Sequence, residues 1–364
     1  MRRTPALIVG GGPAGAACAI TLARAGLPHL LLERTRETGD ALCGGFLSWR
    51  TLDALARLGV EPDSLNRSPV THIHLFAGNR SATARLPRPA RAVSRRRLDS
   101  LLLAQAEAAG APIERGVAVR SIEALTANVE GNAITGDALF LASGKHDVRG
   151  LARPAEARGG DPALGLRVRL PPHPGVSRLL GDRIELHLFD RGYAGIVQQE
   201  DGSANLCMAV QRSRFGEAGD PETLLRALGD VSPALGERLA FRSAAPVDAV
   251  ANVPYGWRAR DTAPGLFRLG DQAGVIPSLA GEGMGIALAS GVRAAQAYRN
   301  GGPDAARTYQ RDLAHALKRP IVIASAAKTI AQSPYASHAL FPLRSAPFLI
   351  EIVAHATRVG HPDA

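Results

Sequence analysis

The sequence predicts an α/β chain: a doubly wound, Rossmann-type domain interleaved with an antiparallel-sheet domain and followed by a C-terminal helical segment. Three observations carry that reading. A buried strand, a glycine-rich turn and a helix follow one another within residues 5–25. A central stretch, about 163 to 254, alternates apolar and polar residues with a period of two. The strand–glycine–helix pattern then returns at 266–299, so the chain leaves the first domain and comes back to it.

Taken in order, Pro5-Ala6-Leu7-Ile8-Val9 is continuously apolar and runs straight into glycines, as a parallel strand buried on both faces does. Pro13 to Ala25 has helical spacing, with Gly26 where a C-terminal cap belongs. Leu30-Leu31-Leu32 is a second buried strand ending at Glu33, which completes a β–α–β unit. Trp49–Leu58 and Leu98–Ala109 read as amphipathic helices closed by Gly59 and Gly110, and Val117–Val119 and Leu139–Ala142 as further strands of the same domain. Arg183–Phe189 and Ala204–Val210 alternate, with turns at Asp190-Arg191-Gly192 and Glu200-Asp201-Gly202, and residues 70–86 look like outlying strands of that sheet. The tail, 303–358, is helical and is expected to break once, at Pro320. The expected division is 1–69, 87–150 and 262–300 for the first domain, 70–86 and 151–261 for the sheet domain, and 301–364 for the helical segment.

At 364 residues and 46% hydrophobic content the chain can bury a sizeable core. The net charge of +10 first suggests nucleic acid or an anionic surface. However, only Lys145, Lys318 and Lys328 are lysines, and the arginines are scattered rather than gathered into a stripe, so nucleic acid is not expected as a partner. Cys18, Cys43 and Cys207 are odd in number and lack C-x-x-C spacing, which argues against a disulfide framework or a zinc site and fits a reducing cytoplasm. Arg2-Arg3 and the apolar run after them imitate a signal peptide, but Gly10-Gly11-Gly12-Pro13 would break its helix. No run approaches the roughly 20 apolar residues that span a bilayer, so the expectation is a soluble protein, at most in peripheral contact with a membrane. No oligomeric state is implied.

The strongest chemical signal is Gly10-x-Gly12-x-x-Gly15, directly after a strand and opening a helix, with Glu33 eighteen residues on. Gly10 permits the tight turn, Gly12 lets the backbone approach a pyrophosphate, and Gly15 lets the helix pack against the strand. Pro13 and Ala14 open the helix whose free N–H groups face the phosphates. Glu33, followed by Arg34, is placed to accept hydrogen bonds from a ribose. A second glycine motif lies far downstream, Leu269-Gly270-Asp271-Gln272-Ala273-Gly274, followed by Gly281-Glu282-Gly283-Met284-Gly285 opening an apolar helix.

With both motifs in place, the chain resembles the flavoprotein superfamily of para-hydroxybenzoate hydroxylase and the geranylgeranyl reductases. The resemblance implies a Rossmann-type FAD/NAD(P)-binding domain holding FAD, a substrate domain built on the antiparallel sheet, and Gly270-Asp271 at the ribityl chain. It also implies that Gly281, Gly283 and Met284 lie at the flavin pyrimidine edge. Arg95 matches the family's basic residue near the phosphates or ribityl chain, and Cys43-Gly44-Gly45 matches the loop that passes close to the flavin. Val119 and Gly144 fall on the strand and turn that flank the cofactor. The chain departs from the hydroxylases at Ala142-Ser143-Gly144-Lys145-His146-Asp147, where the usual Asp-Gly is missing, and at Gly274, where they carry His. It departs from the prenyl reductases at Tyr193–Gln198, where an aromatic substrate motif is degraded.

Two residues stand out on the sheet. His187 and Tyr193 lie on strands that the superfamily turns towards the flavin, so either could orient or deprotonate a substrate, or be an ordinary sheet residue. His146-Asp147 as a nicotinamide contact, Cys43 as a redox or acid group, and Tyr255 and Trp257 as pocket walls stay open in the same way. The leading functional expectation is an NAD(P)H-driven monooxygenase that hydroxylates a phenolic, polyketide-like or other apolar small molecule through a flavin C4a-hydroperoxide. NAD(P)H, which lacks a second fingerprint here, would be a transient electron donor. Beside it stands an FAD-dependent reductase of isoprenoid-type carbon–carbon double bonds, and behind both a non-catalytic flavin-binding protein.

Overall fold

The computed structural model describes residues 2–338, 352, 355–358 and 360. Strand β1 (Arg2–Val9), helix α1 (Pro13–Arg24) and strand β2 (Leu30–Glu33) form the opening unit. Helix α2 (Trp49–Arg57) follows, then the hairpin β3 (Pro69–Ala77) and β4 (Arg80–Ala92), and helix α3 (Arg95–Ala108). Strands β5 (Ile113–Arg115) and β6 (Asn132–Leu141) return to β1 and β2. Next come β7 (Ala163–Leu170), β8 (Arg183–Phe189), β9 (Gly192–Gln198) and β10 (Ala204–Gln211). Strand β11 (Leu266–Arg268), helix α4 (Gly283–Gly301) and helix α5 (Ala306–Ala331) complete the layout.

These strands make two sheets. The first runs β5-β2-β1-β6 in parallel, with β11 parallel to β6 and the hairpin Ser121–Glu123/Thr126–Val129 antiparallel to it. Ala6 to Val9 and Leu30 to Leu32 are buried on both faces, which accounts for their unbroken apolar runs. The second sheet runs Asp248–Val253, β7, β10, β9, β8, β3, β4 and Phe46–Leu47. Its pairs are antiparallel except β8 with β3, which run parallel, so the sheet is mixed at that seam. Strand β4 continues to Ala92, past residue 86.

Helix α1 is nearly all small residues, and this fixes what it can touch. A Cβ on Gly291 of α4 would lie 2.2 Å from the Ala14 carbonyl oxygen and 3.0 Å from the Cys18 nitrogen. Only glycine allows the two backbones to approach so closely. Ile20 and Leu22 of α1 and Leu288 of α4 are buried in the same core, each contributing roughly 1.5–3 kcal/mol by leaving water.

The structure corrects three sequence expectations of local form. Val117–Val119 is no strand: the ladder stops at Arg115, and Val117 N–H makes one bond, to the Glu33 carbonyl at 3.0 Å. Pro320 does not break the tail helix, because α5 runs unbroken from Ala306 to Ala331 with buried Pro320 inside it. The missing proline N–H is the local loss, and burial of Leu317, Ile321 and Ala324 on one face offsets it. The central stretch also holds four short helices, Pro174–Leu180, Arg212–Ala218, Pro221–Val231 and Pro233–Leu239. Among the described residues no helix is long and apolar enough to cross a membrane.

Gly291→Ala is expected to lower unfolding free energy by about 1–3 kcal/mol, since its methyl would press on immovable backbone. Urea denaturation followed by circular dichroism measures it, and wild-type stability would contradict the packing described.

Candidate functional site

A cavity of about 1140 Å³ lies between the two sheets. Its polar half begins at the turn after β1. Gly10 has φ +107°, and a Cβ there would sit 2.5 Å from the Ala142 carbonyl oxygen. Gly15 is equally constrained, since its Cβ would fall 1.9 Å from the Gly10 carbonyl oxygen. Gly12 differs. Its φ of −69° suits any residue, and the nearest atom to an added Cβ is Arg95 Nη2 at 3.4 Å. The missing side chain at 12 therefore keeps cavity space open rather than relieving strain. Helix α1 starts at this point with no side-chain cap, so its first N–H groups face the cavity without a side-chain acceptor.

The acid at the end of β2 is held in place. Glu33 accepts from Gly11 N–H at 2.7 Å, from Thr35 N–H at 2.9 Å and from the Thr35 hydroxyl at 2.8 Å. Arg34 Nη2 lies 3.4 Å from His146 Nε2. Arg95, the first residue of α3, makes two bonds to Asp99, from Nε at 2.8 Å and Nη2 at 2.6 Å. Burial works against its charge, but Asp99 outweighs burial and raises the guanidinium pKa above its usual value.

The loop 40–45 is pinned from three sides. Lys145 Nζ donates to the Leu42 carbonyl at 2.7 Å, and the Cys43 carbonyl accepts from Asn205 Nδ2 at 2.8 Å and Cys207 Sγ at 3.0 Å. Cys43 Sγ lies 3.9 Å from Met284 Sδ, at the start of α4. Burial pushes the Cys207 thiol up to about 12, so it stays protonated.

The late motif meets the early one here. Gly270, with φ +55°, donates its N–H to Ser290 Oγ at 2.8 Å, and a Cβ there would lie 3.3 Å from the Ala14 Cβ. Gln272 donates to the carbonyls of Gly144 and His146, at 2.9 and 3.1 Å, which ties the middle turn to the late one. Asp271 borders the cavity, and its carboxylate takes no hydrogen bond from the described residues. Gly281 has φ +63° and would collide with the Phe46 ring, whereas Gly283 has open space around it.

Of the residues singled out from the sequence, Gly10, Gly12, Pro13, Ala14, Glu33 and Arg34 line this one cavity. So do Cys43, Gly44, Arg95, Val119, Gly144, Gly270, Asp271, Gly281, Gly283, Met284 and Tyr193. Gly15 lies behind the wall, where it serves the packing of α1. His187 is a correction: it does not face the cavity. Strand β8 points Ile184, Leu186 and Leu188 inwards and Glu185 and His187 the other way. There His187 Nε2 lies 3.3 Å from Glu185, its ring stacks on Phe76 at 4.7 Å, and Arg238 grips Glu185 with two bonds of 2.9 Å. Burial lowers the His187 pKa, so it is a neutral core imidazole. Asp147 pairs with Arg153 at 2.8 Å, and Tyr255 lines the cavity while Trp257 does not.

The apolar half of the cavity is walled by Ile73, Leu75, Ile184, Leu186, Leu188 and Ile330. Where it joins the polar half, Tyr193 and Tyr255 share one hydroxyl. Ser278 Oγ lies 2.7 Å from Tyr193 Oη and 2.9 Å from Tyr255 Oη, and Leu279 N–H donates to Tyr193 Oη at 3.0 Å. Burial raises both phenol pKa values, that of Tyr255 strongly. Ser278 and Asp99 carried no recognisable signal in the sequence; each gains its role from a contact distant in the chain or hidden in a helix turn.

A model of the FAD binding domain matches residues 3–143. Over 307 residues the chain is 29% identical to digeranylgeranylglycerophospholipid reductase 2 of Methanopyrus kandleri, covering 78% of this chain and 74% of that one. A geranylgeranyl bacteriochlorophyll reductase-like protein from Thermoplasma acidophilum superposes with a TM-score of 0.75 at 21% identity, over 95% of this chain and 92% of that one. A probable FAD-dependent monooxygenase, PqsL from Pseudomonas aeruginosa, superposes with a TM-score of 0.71 at 17% identity, over 94% and 100%. The chain is an FAD-dependent oxidoreductase, with an FAD binding domain at residues 3–143 and similarity over most of its length to a digeranylgeranylglycerophospholipid reductase. In this flavoprotein the residues present suit the cofactor: a glycine cradle that a side chain at 12 would fill, and a carboxylate at 271 that takes no hydrogen bond from the described residues.

Gly12→Val is expected to fold normally, because its backbone geometry is ordinary, and to purify colourless. Gly15→Val should fail earlier, at folding. A yellow Gly12→Val preparation with the wild-type flavin-to-protein ratio would contradict the cradle.

Proposed function

We propose that this flavoprotein reduces a carbon–carbon double bond of an elongated apolar molecule, with NAD(P)H as its transient electron donor. FAD, when bound and reduced, supplies the hydride equivalent. Gly12 and the α1 N-terminus would take its diphosphate, Glu33 its ribose, and Asp271 its ribityl hydroxyls. The chain's own residues then have two tasks, to hold an apolar chain and to provide a proton.

The observation that carries this reading is the Tyr193–Ser278–Tyr255 cluster at the edge of an aliphatic lobe. Saturating a double bond takes one proton beside the hydride. Leu279 N–H fixes one lone pair of Tyr193 Oη. With Ser278 donating to Tyr193 and Tyr255 donating to Ser278, the Tyr193 proton is left directed at the cavity. Tyr193 would give that proton to carbon, take one from Ser278, and be resupplied through the partly exposed Tyr255. Among the described residues walling the aliphatic lobe none is an imidazole or a carboxylate. A phenol bound there would lack a base, which puts reduction ahead of the hydroxylation that the sequence ranked first. The name of the Methanopyrus relative, a lipid reductase, points the same way.

The decisive assay is anaerobic. Prereduced enzyme and a polyprenyl alkene should yield product heavier by two hydrogens, without oxygen. Oxygen uptake coupled to hydroxylated product, with no anaerobic turnover, would overturn the proposal in favour of a monooxygenase. Tyr193→Phe should lower kcat by about 10²-fold or more, the usual loss on removing a positioned proton donor, with the flavin spectrum unchanged. Because burial raises the Tyr193 pKa, its phenol stays protonated through neutral pH, and ionisation of Tyr193 should not depress the rate below about pH 10.

A further inference from the structure

The C-terminal tail reaches back to the start of α4. Arg358 Nη1 donates to Glu282 Oε2 and to the Ala280 carbonyl, both at 2.9 Å, and its guanidinium lies 4.9 Å over the Trp49 ring of α2. Glu282 is fully buried, and Arg358 is 7% exposed. The same carboxylate is approached by Thr51 Oγ1 at 3.2 Å and Ser48 Oγ at 3.4 Å. Arg358 is its one cationic contact among the described residues. Arg358, Gly281, Gly283 and Met284 all border the cavity.

The position of Glu282 makes this contact consequential. It is the N-cap residue of α4, yet its side chain caps nothing. Ser48, Thr51 and Arg358 hold the carboxylate beside Gly285, where it bonds no helix N–H, so the first N–H groups of a 19-residue helix stay open where Gly283 leaves room. A buried carboxylate without its partner is costly, and its charge would oppose any electron-rich group brought to that helix end.

We propose that Arg358 is a positioning residue of the cofactor site: by neutralising Glu282 it lets the α4 N-terminus receive the flavin, so docking of the tail and binding of FAD favour one another. The inference rests on the flavin reading of the cavity. Coupling of this kind is reciprocal, because each event stabilises the arrangement the other needs.

The test is a charge-removal cycle on the full chain, read by FAD dissociation constant and by flavin midpoint potential. Arg358→Met should weaken FAD binding by roughly tenfold, a usual size for coupling between sites, and lower the midpoint potential. Glu282→Gln in the same chain should restore both, since no charge is left to neutralise. Arg358→Lys should lie between, and it serves as the probe if Arg358→Met does not fold. Wild-type affinity and potential in Arg358→Met would overturn the proposal. So would a double variant as impaired as Arg358→Met, which would assign the loss to packing on Trp49 rather than to charge. A wild-type protein that retains no FAD would instead refute the flavin reading itself.

Discussion

The close crossing of α1 and α4 is the constraint on which the rest of this structure depends. Ala14 touches both Gly270 and the backbone space left by Gly291, so two segments separated by more than 250 residues are held at contact distance. Larger side chains at either place would separate the helices by ångströms. The N-termini of both helices would then no longer open on one cavity. Because each terminus carries unsatisfied N–H groups and a partial positive charge, bringing them together creates a site for a long ligand that is anionic at one end and electron-rich at the other. The glycines thus act at two levels, and they are distinguishable: Gly10, Gly15 and Gly291 are required by backbone contacts, whereas Gly12 and Gly283 are required by space for something else.

That distinction also explains what was legible in the sequence. Gly10–Gly15, Glu33 and Gly270-Asp271 could be read because their spacing reflects local backbone geometry, which one sequence records directly. His187 could not be placed correctly because a two-residue period identifies two faces without saying what covers each. In β8 the polar residues Glu185 and His187 face a layer of short helices and the apolar ones face the cavity, the reverse of a strand with its polar side in water. Those helices were themselves unread, being seven to eleven residues long and embedded in a stretch of alternating strands. The parallel pairing of β8 with β3 was hidden for another reason, since parallel partners are set by chain topology over more than a hundred residues rather than by any turn signal.

The basic composition has a structural destination as well. Arg153, Arg167, Arg238 and Arg358 are each less than 9% exposed, and each is paired with a carboxylate. Buried cations of this kind require a planar donor that remains charged out of water and satisfies several acceptors together, which arginine does and lysine does not. Arg153 illustrates it: one guanidinium group bonds Asp147, the Lys145 carbonyl and the Asp271 carbonyl, and so joins the middle turn to the late glycine motif. An arginine-rich sequence of this type needs no polyanionic partner to account for these four.

The two halves of the cavity then call for different physics from one ligand set. On the side of the first sheet, glycine backbone, Glu33, Arg95 and Asp271 can exchange water for the phosphates and hydroxyls of a cofactor. On the side of the second sheet, an aliphatic wall offers nothing to replace lost hydrogen bonds, so only an apolar group enters without cost. Tyr193, Ser278 and Tyr255 stand at the boundary, and their mutual bonds meet most of one another's polar demand. A hydroxyl cluster satisfied in this way tolerates an apolar neighbour, and a reorientation of its three protons is enough to present one of them to the cavity. A single imidazole or carboxylate in the same place would have to be desolvated at full charge or be neutralised by burial, as His187 is behind the sheet. The boundary therefore suits a proton donor better than a base, and that asymmetry, more than the shape of the cavity, is what the proposed reduction relies on.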